Sequence, residues 1–432
     1  MRCPVVLECW VVVIGAFLAA CLPPTGANDP KARNLLLVTI DTLRADHLGV
    51  YGYERPTSPH LDEFAKDAVV FDAAHSSSSW TLPGIATLMT GLYTSTHGCW
   101  NGRSYLPALI PTLAEQLTGE GFDTGAVVSH VFLDPRYGLH QGFGMYDDEL
   151  VSKTKRKSHL AVTSPQIADK AIGWLEARAE ADMRPWFLWL HFFDPHRRYL
   201  AHEGVSEAFG VDEPADRYDG EIAFSDLHLG RILDRLDALG MRDATLVIVT
   251  SDHGEEFLEH GGTGHRSTLY QEVQRVPLVI RAPGIEPGRR GEAVSLADIA
   301  PTVLELLGVA PLDSIAGRSL VPSLRGEALP DRPVVAELGG NLVWSRSIIT
   351  GRWKLLVDYE NERQQLFDLD SDPAEKRNLA ESEPERVVEL REQLQSEIAR
   401  ALKWQKAYGP TGALDLSPSD LEQLRELGYT EN

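Results

Sequence analysis

Acidic and imidazole side chains follow four separate apolar runs of the chain, each at the position where the run ends. The runs cover 34–40, 124–129, 186–193 and 245–250, and the side chains after them are Asp41, His130, Asp194 with His196, and Asp252 with His253. A lone aspartate after such a run is usually a turn or helix-capping residue. Four runs that each deliver carboxylate or imidazole predict a metal site instead, because these groups are common ligands of divalent cations.

A threonine at the start of a predicted helix could act together with that site. Pro83 suits the first turn of a helix and Gly91 suits its end, so the spacing predicts a helix that begins near Thr81. Free backbone amides and the helix dipole at this end favour an anion. Two interpretations stay open: Thr81 caps the helix, or its hydroxyl is a nucleophile beside a bound anion.

The apolar runs have the length of strands and are nearly continuous, as expected for strands buried on both faces. A further run covers 276–281, and helix-like stretches such as 112–118 and 166–181 lie between the runs. This alternation predicts an α/β fold with a mostly parallel (mixed) central sheet and helices on both faces. Ligands bind beyond the carboxyl ends of the strands in such sheets, so the fold would gather the candidate residues at one edge.

The pattern changes after residue 330. Short runs at 334–337, 345–350, 354–358 and 365–369, separated by hairpin-like breaks, predict a small antiparallel sheet. A helix from about 384 to 403 and a short capped helix around 417–427 follow. We therefore expect a catalytic α/β domain over 34–330 and a C-terminal α+β subdomain with a tail over 331–432.

Composition argues against nucleic acid as a partner. The 432 residues include 63 acidic and 41 basic side chains, a formal net charge of -22, and such a chain repels a polyanion. An anionic substrate would need local positive charge or a metal ion.

The N-terminus has the pattern of an export signal. Arg2 precedes an apolar run over 10–20, too short to span a membrane comfortably, which ends in Leu18-Ala19-Ala20-Cys21. That ending resembles the lipobox of bacterial lipoproteins, in which the cysteine is lipidated. We therefore expect a signal over 1–21, a tether over 22–33, and a periplasmic or cell-surface protein whose membrane contact is the lipid on Cys21. Cys99 would be the remaining cysteine, and we expect it to be a buried apolar residue.

Several segments together resemble the sulfatase family of the alkaline phosphatase superfamily. Sulfatases carry a Cys-x-Pro-Ser-Arg motif that leads into a helix closing with Leu-x-Thr-Gly, and the same frame here runs from Thr81-Leu82-Pro83-Gly84-Ile85 to Leu88-Met89-Thr90-Gly91. The other matching segments are VTIDTLRAD (38–46), FFDPH (192–196), TSDHGE (250–255), GHR (264–266) with LYQE (269–272), DIAPT (298–302) and the hairpin over 353–375. Their order and spacing cover nearly the whole chain after the tether.

This resemblance implies roles for individual residues. Asp41, Asp252 and His253 would hold one divalent cation that also contacts Thr81, the residue at the nucleophile position. His196, His265 and Arg266 would take part in catalysis, and His130 and Asp194 would contact the substrate. The family implies Ca²⁺, the histidine ligand broadens the choice of ion toward Mn²⁺ or Zn²⁺, and Mg²⁺ also stays open.

Four positions depart from the family pattern. The sulfatase nucleophile is a cysteine or serine matured to formylglycine, and no formylglycine is expected at Thr81, since threonine is not a substrate for that maturation. Thr42 replaces a second aspartate ligand, and Gly84 and Ile85 replace the serine and arginine of the motif. Threonine is the nucleophile of several phosphate-transferring relatives in the same superfamily.

Three functions therefore stay open. The chain could hydrolyse sulfuric esters, as the overall resemblance implies. It could be a phosphoesterase or a phosphoryl or headgroup transferase, as Thr81 and His253 favour. It could also be a degenerate sulfatase-like protein that binds a glycan without cleaving it. The partner in each case is a sulfated or phosphorylated small molecule, glycan or lipid headgroup.

Overall fold

The computed structural model describes residues 32–151, 162–181, 184–196, 198–340, 343–409 and 411–426. The predicted signal, Cys21 and the tether up to residue 31 lie outside these residues. No helix within the described ranges is long and apolar enough to cross a membrane.

A nine-stranded mixed sheet forms the centre of the molecule. Its strands follow the order β11-β2-β10-β6-β1-β5-β3-β4, and β9 pairs with β2 at one end. The pairs β1/β5, β1/β6, β3/β5, β3/β4 and β2/β11 are parallel, whereas β10 and β9 run antiparallel to their neighbours. The strands are β1 Asn34–Ile40, β2 Val69–His75, β3 Asp123–Val127, β4 Met145–Asp147, β5 Trp186–Phe192, β6 Thr245–Thr250, β9 Arg275–Val276, β10 Leu278–Arg281 and β11 Gly288–Ser295.

Helices cover both faces of this sheet because successive strand residues point to opposite sides. Leu35 and Leu37 of β1 belong to one core cluster, and Leu36 and Val38 belong to the other. The helices and helical turns in the order of the chain are α1 Pro59–Ala65, α2 Thr81–Thr90, α3 Thr94–His97, α4 Leu113–Gly119, α5 Ser164–Ala181, α6 Pro214–Ala238, α7 Gln271–Gln274, α8 Ile299–Leu307, α9 Val321–Leu324, α10 Pro384–Tyr408 and α11 Pro418–Glu426. The predicted fold class is confirmed.

The C-terminal region forms a second, four-stranded antiparallel sheet in the order β12-β13-β14-β15. Helix α10 packs on it through Leu390, Leu394 and Ile398. The strands are β12 Val334–Gly339, β13 Val343–Thr350, β14 Trp353–Asp358 and β15 Arg363–Asp368, and a separate two-stranded ribbon joins β7 Glu256–Phe257 to β8 Thr263–Gly264. The predicted domain boundary at 330 precedes β12 by a few residues and stays a prediction.

The strand predicted over 276–281 differs from the observed element. Pro277 separates β9 from β10, because proline cannot donate a backbone hydrogen bond to a neighbouring strand. β10 is also antiparallel to β6 and β2, and β9 is antiparallel to β2, so these two strands make the sheet mixed.

Candidate functional site

Three carboxylate and imidazole groups meet where β1 and β6 end side by side. Thr39 of β1 pairs with Thr250 of β6, so the residues just beyond both strands are neighbours. His253 Nε2 lies 3.5 Å from Asp41 Oδ1 and 3.5 Å from Asp252 Oδ2. All three side chains are 0% exposed.

These groups fit a divalent cation. Neither carboxylate oxygen of Asp41, nor Oδ2 of Asp252, accepts a hydrogen bond of normal geometry among the described residues. Burial, followed by the charge of Asp252, raises the pKa of Asp41 well above its ordinary value, because a buried carboxylate without donors is costly to ionise. The ligand atoms of Asp41, Asp252 and His253 all lie within 4.8 Å of one another. A cation at this position would compensate the buried charge.

The hydrogen bonds of His253 prepare it as a ligand. His253 Nδ1 lies 2.8 Å from the carbonyl oxygen of Gly254, so Nδ1 carries the proton and donates it. The lone pair of Nε2 then points toward the two carboxylates. A carbonyl or carboxylate that fixes the tautomer in this way is typical of histidines that bind metals.

Thr81 lies at the same place. Its Oγ1 is 3.4 Å from His253 Nε2, and the residue is 0% exposed. Trp80, not Thr81, is the N-cap of α2, and its side chain makes no capping hydrogen bond. Thr81 is the first residue of the helix, so the interpretation of Thr81 as its cap is wrong.

Gly84 allows α2 to lie close to the end of β6. A Cβ atom built on Gly84 would come 2.7 Å from the backbone oxygen of Asp252, closer than Cβ atoms approach such an oxygen. The glycine that replaces the family's serine therefore has a packing reason. Ile85, which replaces the arginine, is 0% exposed and belongs to the apolar core on this face.

Four imidazole rings surround the second oxygen of Asp41 and the space beside it. Asp41 Oδ2 lies 3.5 Å from His191 Nε2 and 3.9 Å from His130 Nε2. The rings of His130 and His196 are 5.4 Å apart, and those of His196 and His265 are 4.9 Å apart. The structure thus brings three histidines predicted from sequence together with His191, which the sequence reasoning missed.

His130 is a neutral hydrogen-bond donor in this cluster. Burial, with the neighbouring imidazoles, lowers its pKa well below the ordinary value. Its Nδ1 accepts the backbone N–H of Phe132 at 3.1 Å, so the proton of the neutral ring lies on Nε2. Asp41, His130 and His196 also form a group with ligand-like spacing, but a protonated Nε2 is not a metal ligand. The set formed by Asp41, Asp252 and His253 is therefore the better cation site.

Glu255 orients His265. Glu255 Oε1 lies 3.1 Å from His265 Nδ1, and the side chains are 0% and 5% exposed. The carboxylate accepts a hydrogen bond from Nδ1–H, so Nε2 of the neutral ring is an acceptor, and the negative charge of Glu255 stabilises the protonated ring. Carboxylate and imidazole in this arrangement can transfer protons. Glu255 was not among the predicted site residues, although it is the last residue of the segment TSDHGE (250–255) that carries Asp252 and His253.

Arg266 lies beside the residue that precedes Thr81. Its Cζ is 4.7 Å from the ring centroid of Trp80, and its backbone N–H donates to the carbonyl of Ser79 at 2.9 Å. The guanidinium group therefore lies on the Trp80 ring at the start of α2.

Asp194 has a different role from the predicted contact with substrate. Its Oδ1 accepts the backbone N–H of Thr163 at 2.6 Å, and its Oδ2 accepts that of Ser164 at 2.6 Å. Thr163 Oγ1 donates a further bond at 3.0 Å. These are the free amides at the start of α5, so Asp194 satisfies a helix terminus and joins it to the loop that carries His196.

Two other positions have structural roles. Thr42 Oγ1 donates to the carbonyl of Pro195 at 2.8 Å, which ties the loop after β1 to the loop after β5. Cys99 is fully buried, and burial raises the pKa of its thiol, so it is an inert apolar residue as expected.

The sequence and the fold are both similar to those of known sulfatases and related hydrolases. A model described as sulfatase matches residues 33–309, and a model described as N-sulphoglucosamine sulphohydrolase, C-terminal, matches residues 259–403. The sequence is 26% identical to arylsulfatase K of Gallus gallus, over 91% of this chain and 87% of that protein. It is 24% identical to choline-sulfatase of Rhizobium meliloti (strain 1021), over 81% and 82%. The fold is similar to the crystal structure of phosphonate monoester hydrolase of Agrobacterium radiobacter, with a TM-score of 0.75, 24% identity and coverage of 86% and 96%.

Proposed function

Since the chain belongs to the sulfatase family, we propose that it hydrolyses sulfuric or phosphoric esters with Thr81 as nucleophile, beside a cation held by Asp41, Asp252 and His253. The observation that carries this proposal is the buried Asp41 carboxylate without donors, 3.5 Å from His253 Nε2, which is in turn 3.4 Å from Thr81 Oγ1. When bound, a divalent cation would neutralise charge on the threonine oxygen and on a nonbridging oxygen of the substrate.

Thr81 would attack the sulfur or phosphorus atom from the first turn of α2. The Thr81 hydroxyl would release its proton to water in the site; the bond from its Oγ to the central atom forms while the bond to the leaving-group oxygen breaks, and the result is an ester of Thr81. The N-terminus of α2 favours the negative charge of the transferred group. Thr81 itself is fixed by the packing of Gly84 against Asp252.

His265 would transfer the protons in both steps. Glu255 stabilises the protonated ring, which gives its proton to the leaving-group oxygen as the alcohol departs. The neutral ring then takes a proton from the water that attacks the threonine ester. This second step releases sulfate or phosphate and restores both the threonine oxygen and the protonated His265.

His130 would bind a nonbridging oxygen of the transferred group. Its Nε2 proton is directed toward the site by the hydrogen bond that Nδ1 accepts from Phe132, and the ring is neutral. A fixed donor in a buried site stabilises charge that develops on the oxygen. His196, stacked on Phe193 at 4.7 Å, lies between His130 and His265.

Sulfate and phosphate esters fit the same geometry, so the ester class needs an assay. We would compare 4-nitrophenyl sulfate, 4-nitrophenyl phosphate and bis(4-nitrophenyl) phosphate, each with Ca²⁺, Mn²⁺, Mg²⁺ or Zn²⁺. A covalent ester on the peptide that contains Thr81 would be detected by mass spectrometry after acid quenching. Failure of the correctly folded, cation-loaded protein to cleave any ester in an extended panel would favour the glycan-binding alternative.

Thr81→Ala tests the nucleophile. We expect a loss of about 10³-fold or more in kcat, as for other nucleophile deletions, and no covalent ester. Thr81→Ser should keep part of the activity because the hydroxyl remains. Thr90→Ala is the matched control, since Thr90 lies in the same buried helix and, among the described residues, its hydroxyl bonds to Ala86 of that helix and to Leu92. Full turnover by the folded Thr81→Ala protein would refute the mechanism.

We also propose that the chain is exported and carries lipid on Cys21. The support is the Leu18-Ala19-Ala20-Cys21 ending of the apolar N-terminal run. Incorporation of labelled palmitate in a bacterial host should occur in the full chain and be absent from Cys21→Ser. Equal labelling of both proteins would contradict the proposal.

A further inference from the structure

His191 lies inside strand β5, on the face of the sheet that α2 covers. Alternate residues of a strand share a face, so His191 shares its face with Trp189, and in the neighbouring strand Thr39 shares its face with Asp41. Thr39 and His191 are paired across the two strands, and the backbone N–H of Asp41 donates to the carbonyl of Phe192 at 2.9 Å. The same strand pairing therefore fixes the positions of the histidine and of the proposed cation ligand.

The hydrogen bonds of Thr39 determine which nitrogen of His191 carries a proton. The indole N–H of Trp189 donates to Thr39 Oγ1 at 3.0 Å. Thr39 Oγ1 lies 2.8 Å from His191 Nδ1 and 3.2 Å from the carbonyl oxygen of Leu190, so the shorter contact of the hydroxyl is the one to the ring. When the hydroxyl donates to Nδ1, the proton of the neutral ring lies on Nε2.

His191 Nε2 and Asp41 Oδ2 face each other at 3.5 Å, and neither forms a hydrogen bond of normal geometry among the described residues. The reverse tautomer would turn the lone pair of Nε2 toward the carboxylate, which is repulsive once Asp41 is ionised. Asp41 Oδ1 has a different neighbour, His253 Nε2 at 3.5 Å. One oxygen of Asp41 therefore faces a proposed cation ligand, and the other faces a donor.

His130 also lies near this second oxygen, but it has another role in the proposed function. Its Nε2 is 3.9 Å from Asp41 Oδ2, and its ring lies 5.4 Å from that of His196. His130 would bind an oxygen of the transferred group. His191 is fully buried within its strand, so it remains the donor for Asp41 when substrate is bound.

We propose that His191 is a positioning residue whose Nε2–H holds the second oxygen of Asp41, so that Asp41 binds the cation through Oδ1 alone. This inference rests on the proposed function and specifies how its site selects a cation. Outer groups that form hydrogen bonds to ligating carboxylates are common in metal sites. Ca²⁺ takes about six to eight oxygen ligands and often binds both oxygens of one carboxylate, whereas Mn²⁺ is usually octahedral. His191 therefore shifts the preference of the site from Ca²⁺ toward Mn²⁺.

The test measures Kd for Mn²⁺ and for Ca²⁺ by calorimetry, with the metal-free wild type and its variants. His191→Phe keeps a planar ring and removes the N–H. We expect it to weaken Mn²⁺ binding by about 10- to 100-fold, as the loss of other outer partners does. Ca²⁺ binding should weaken by about tenfold less, because the released Oδ2 of Asp41 becomes available to this ion. His191→Gln, whose amide can place an N–H near the position of Nε2, should keep most of the wild-type ratio of the two Kd values.

Two further variants separate this role from a general effect on folding. His97→Phe is the matched control, since His97 is a second fully buried histidine whose ring contacts a threonine, Thr87 Oγ1 at 3.2 Å, and it should leave the ratio unchanged. Thr39→Val keeps the shape of the side chain and removes the hydroxyl that orients His191. It should change the ratio in the same direction as His191→Phe, and it replaces that variant if phenylalanine prevents folding.

These measurements need no ester, so failure of this inference is distinguishable from failure of the proposed function. A preference for Mn²⁺ that falls in His191→Phe and in Thr39→Val supports the inference even if no ester is cleaved. The inference alone is overturned if the wild type and both folded variants bind the cations with the same ratio of Kd values. It is also overturned if His191→Phe changes this ratio equally in an Asp41→Asn background, because His191 would then not act through Asp41. A wild type that binds neither ion would overturn the cation site of the proposed function as well.

Discussion

Replacement of Asp41 by asparagine should make the metal-free protein more stable and the cation-loaded protein less stable than the wild type. The ligand oxygens of Asp41 and Asp252 lie within 4.8 Å of each other. At that distance two negative charges repel by about 3.5 kcal/mol with an effective dielectric constant of 20. The Asp41→Asn substitution keeps the shape of the side chain and removes this repulsion.

The cation reverses the order of stability. Binding to the wild type should raise the free energy of unfolding by about 4 kcal/mol at a thousandfold excess over Kd. The Asp41→Asn protein lacks the carboxylate that the site needs, so it should lose most of this gain. Ca²⁺ at that excess would then leave the wild type more stable, by about 0.5 kcal/mol from these two values.

The pH dependence has a definite sign. Burial and the charge of Asp252 raise the pKa of Asp41 above its ordinary value of 3.8, so the folded metal-free protein binds a proton that the unfolded chain has released. Its free energy of unfolding must therefore fall as the pH rises from 3.8 to the raised pKa. The Asp41→Asn variant should lack this contribution, and its advantage in EDTA should grow toward higher pH.

Urea unfolding of both proteins, in EDTA and in excess Ca²⁺, measures these differences. Asp194→Asn is a control at a second buried aspartate, whose carboxylate accepts hydrogen bonds from Thr163 and Ser164. An amide NH₂ group facing those donors should cost about 1–3 kcal/mol in both conditions. The reasoning is refuted if Asp41→Asn lowers stability in EDTA, or if it keeps the full response to Ca²⁺.

Three further predictions follow from single contacts. Glu255→Gln should lower kcat by about 10- to 100-fold, near the range of general acid–base contributions. It should also shift the pH optimum, because a neutral amide does not stabilise protonated His265. An unchanged pH–rate profile would exclude this role of Glu255. Burial lowers the pKa of His97 to about 3, so the free energy of unfolding should fall as the pH drops from 6.5 toward 3. His97→Gln should reduce the slope of the free energy of unfolding against pH by up to about 1.4 kcal/mol per pH unit, as measured by denaturant titrations at a series of pH values. Gly84→Ala should destabilise the fold by about 1–3 kcal/mol, because the alanine Cβ would lie 2.7 Å from the backbone oxygen of Asp252. The same displacement of Asp252 should weaken cation binding measured by calorimetry. A variant with wild-type stability would show that α2 can shift.

The central strands of the fold could be predicted from the sequence, but the outer strands could not. β1 and β6 have the predicted bounds, because each is a continuous apolar run buried on both faces. β2 and β11 were not predicted. β2 contains Asp72, and β11 contains Gly288, Arg289, Arg290 and Glu292. These strands lie at one side of the sheet, where both are partly accessible to solvent. They therefore contain charged residues and glycine, which interrupt the continuous apolar run that marks a buried strand.

In the candidate site, the sequence reveals residues at the end of a recognisable segment but not residues whose partners lie far away in the sequence. Residues next to a recognisable segment end were found, whereas His191 lies inside the apolar run of β5 and counted as core. Its signal was present, since a histidine in a fully buried strand needs a polar partner. Its hydrogen-bond partner is Thr39 Oγ1 at 2.8 Å, and its Nε2 lies 3.5 Å from Asp41 Oδ2 without a hydrogen bond of normal geometry. Both belong to β1 or the residue after it, and only the pairing of β1 with β5 reveals them.

Asp41 and Asp194 have the same local pattern, an aspartate that follows a buried strand, but their environments differ. Backbone amides of a distant segment, at the start of α5, satisfy Asp194. No described segment brings donors of normal geometry to the oxygens of Asp41, which face Asp252, His253, His191 and His130 instead. The difference arises from which loop the fold places opposite each strand end. A carboxylate with donors stabilises a helix, and a buried carboxylate without them takes up a proton or a cation, so hydrogen bonding, and not position after a strand, separates the structural aspartate from the proposed metal ligand.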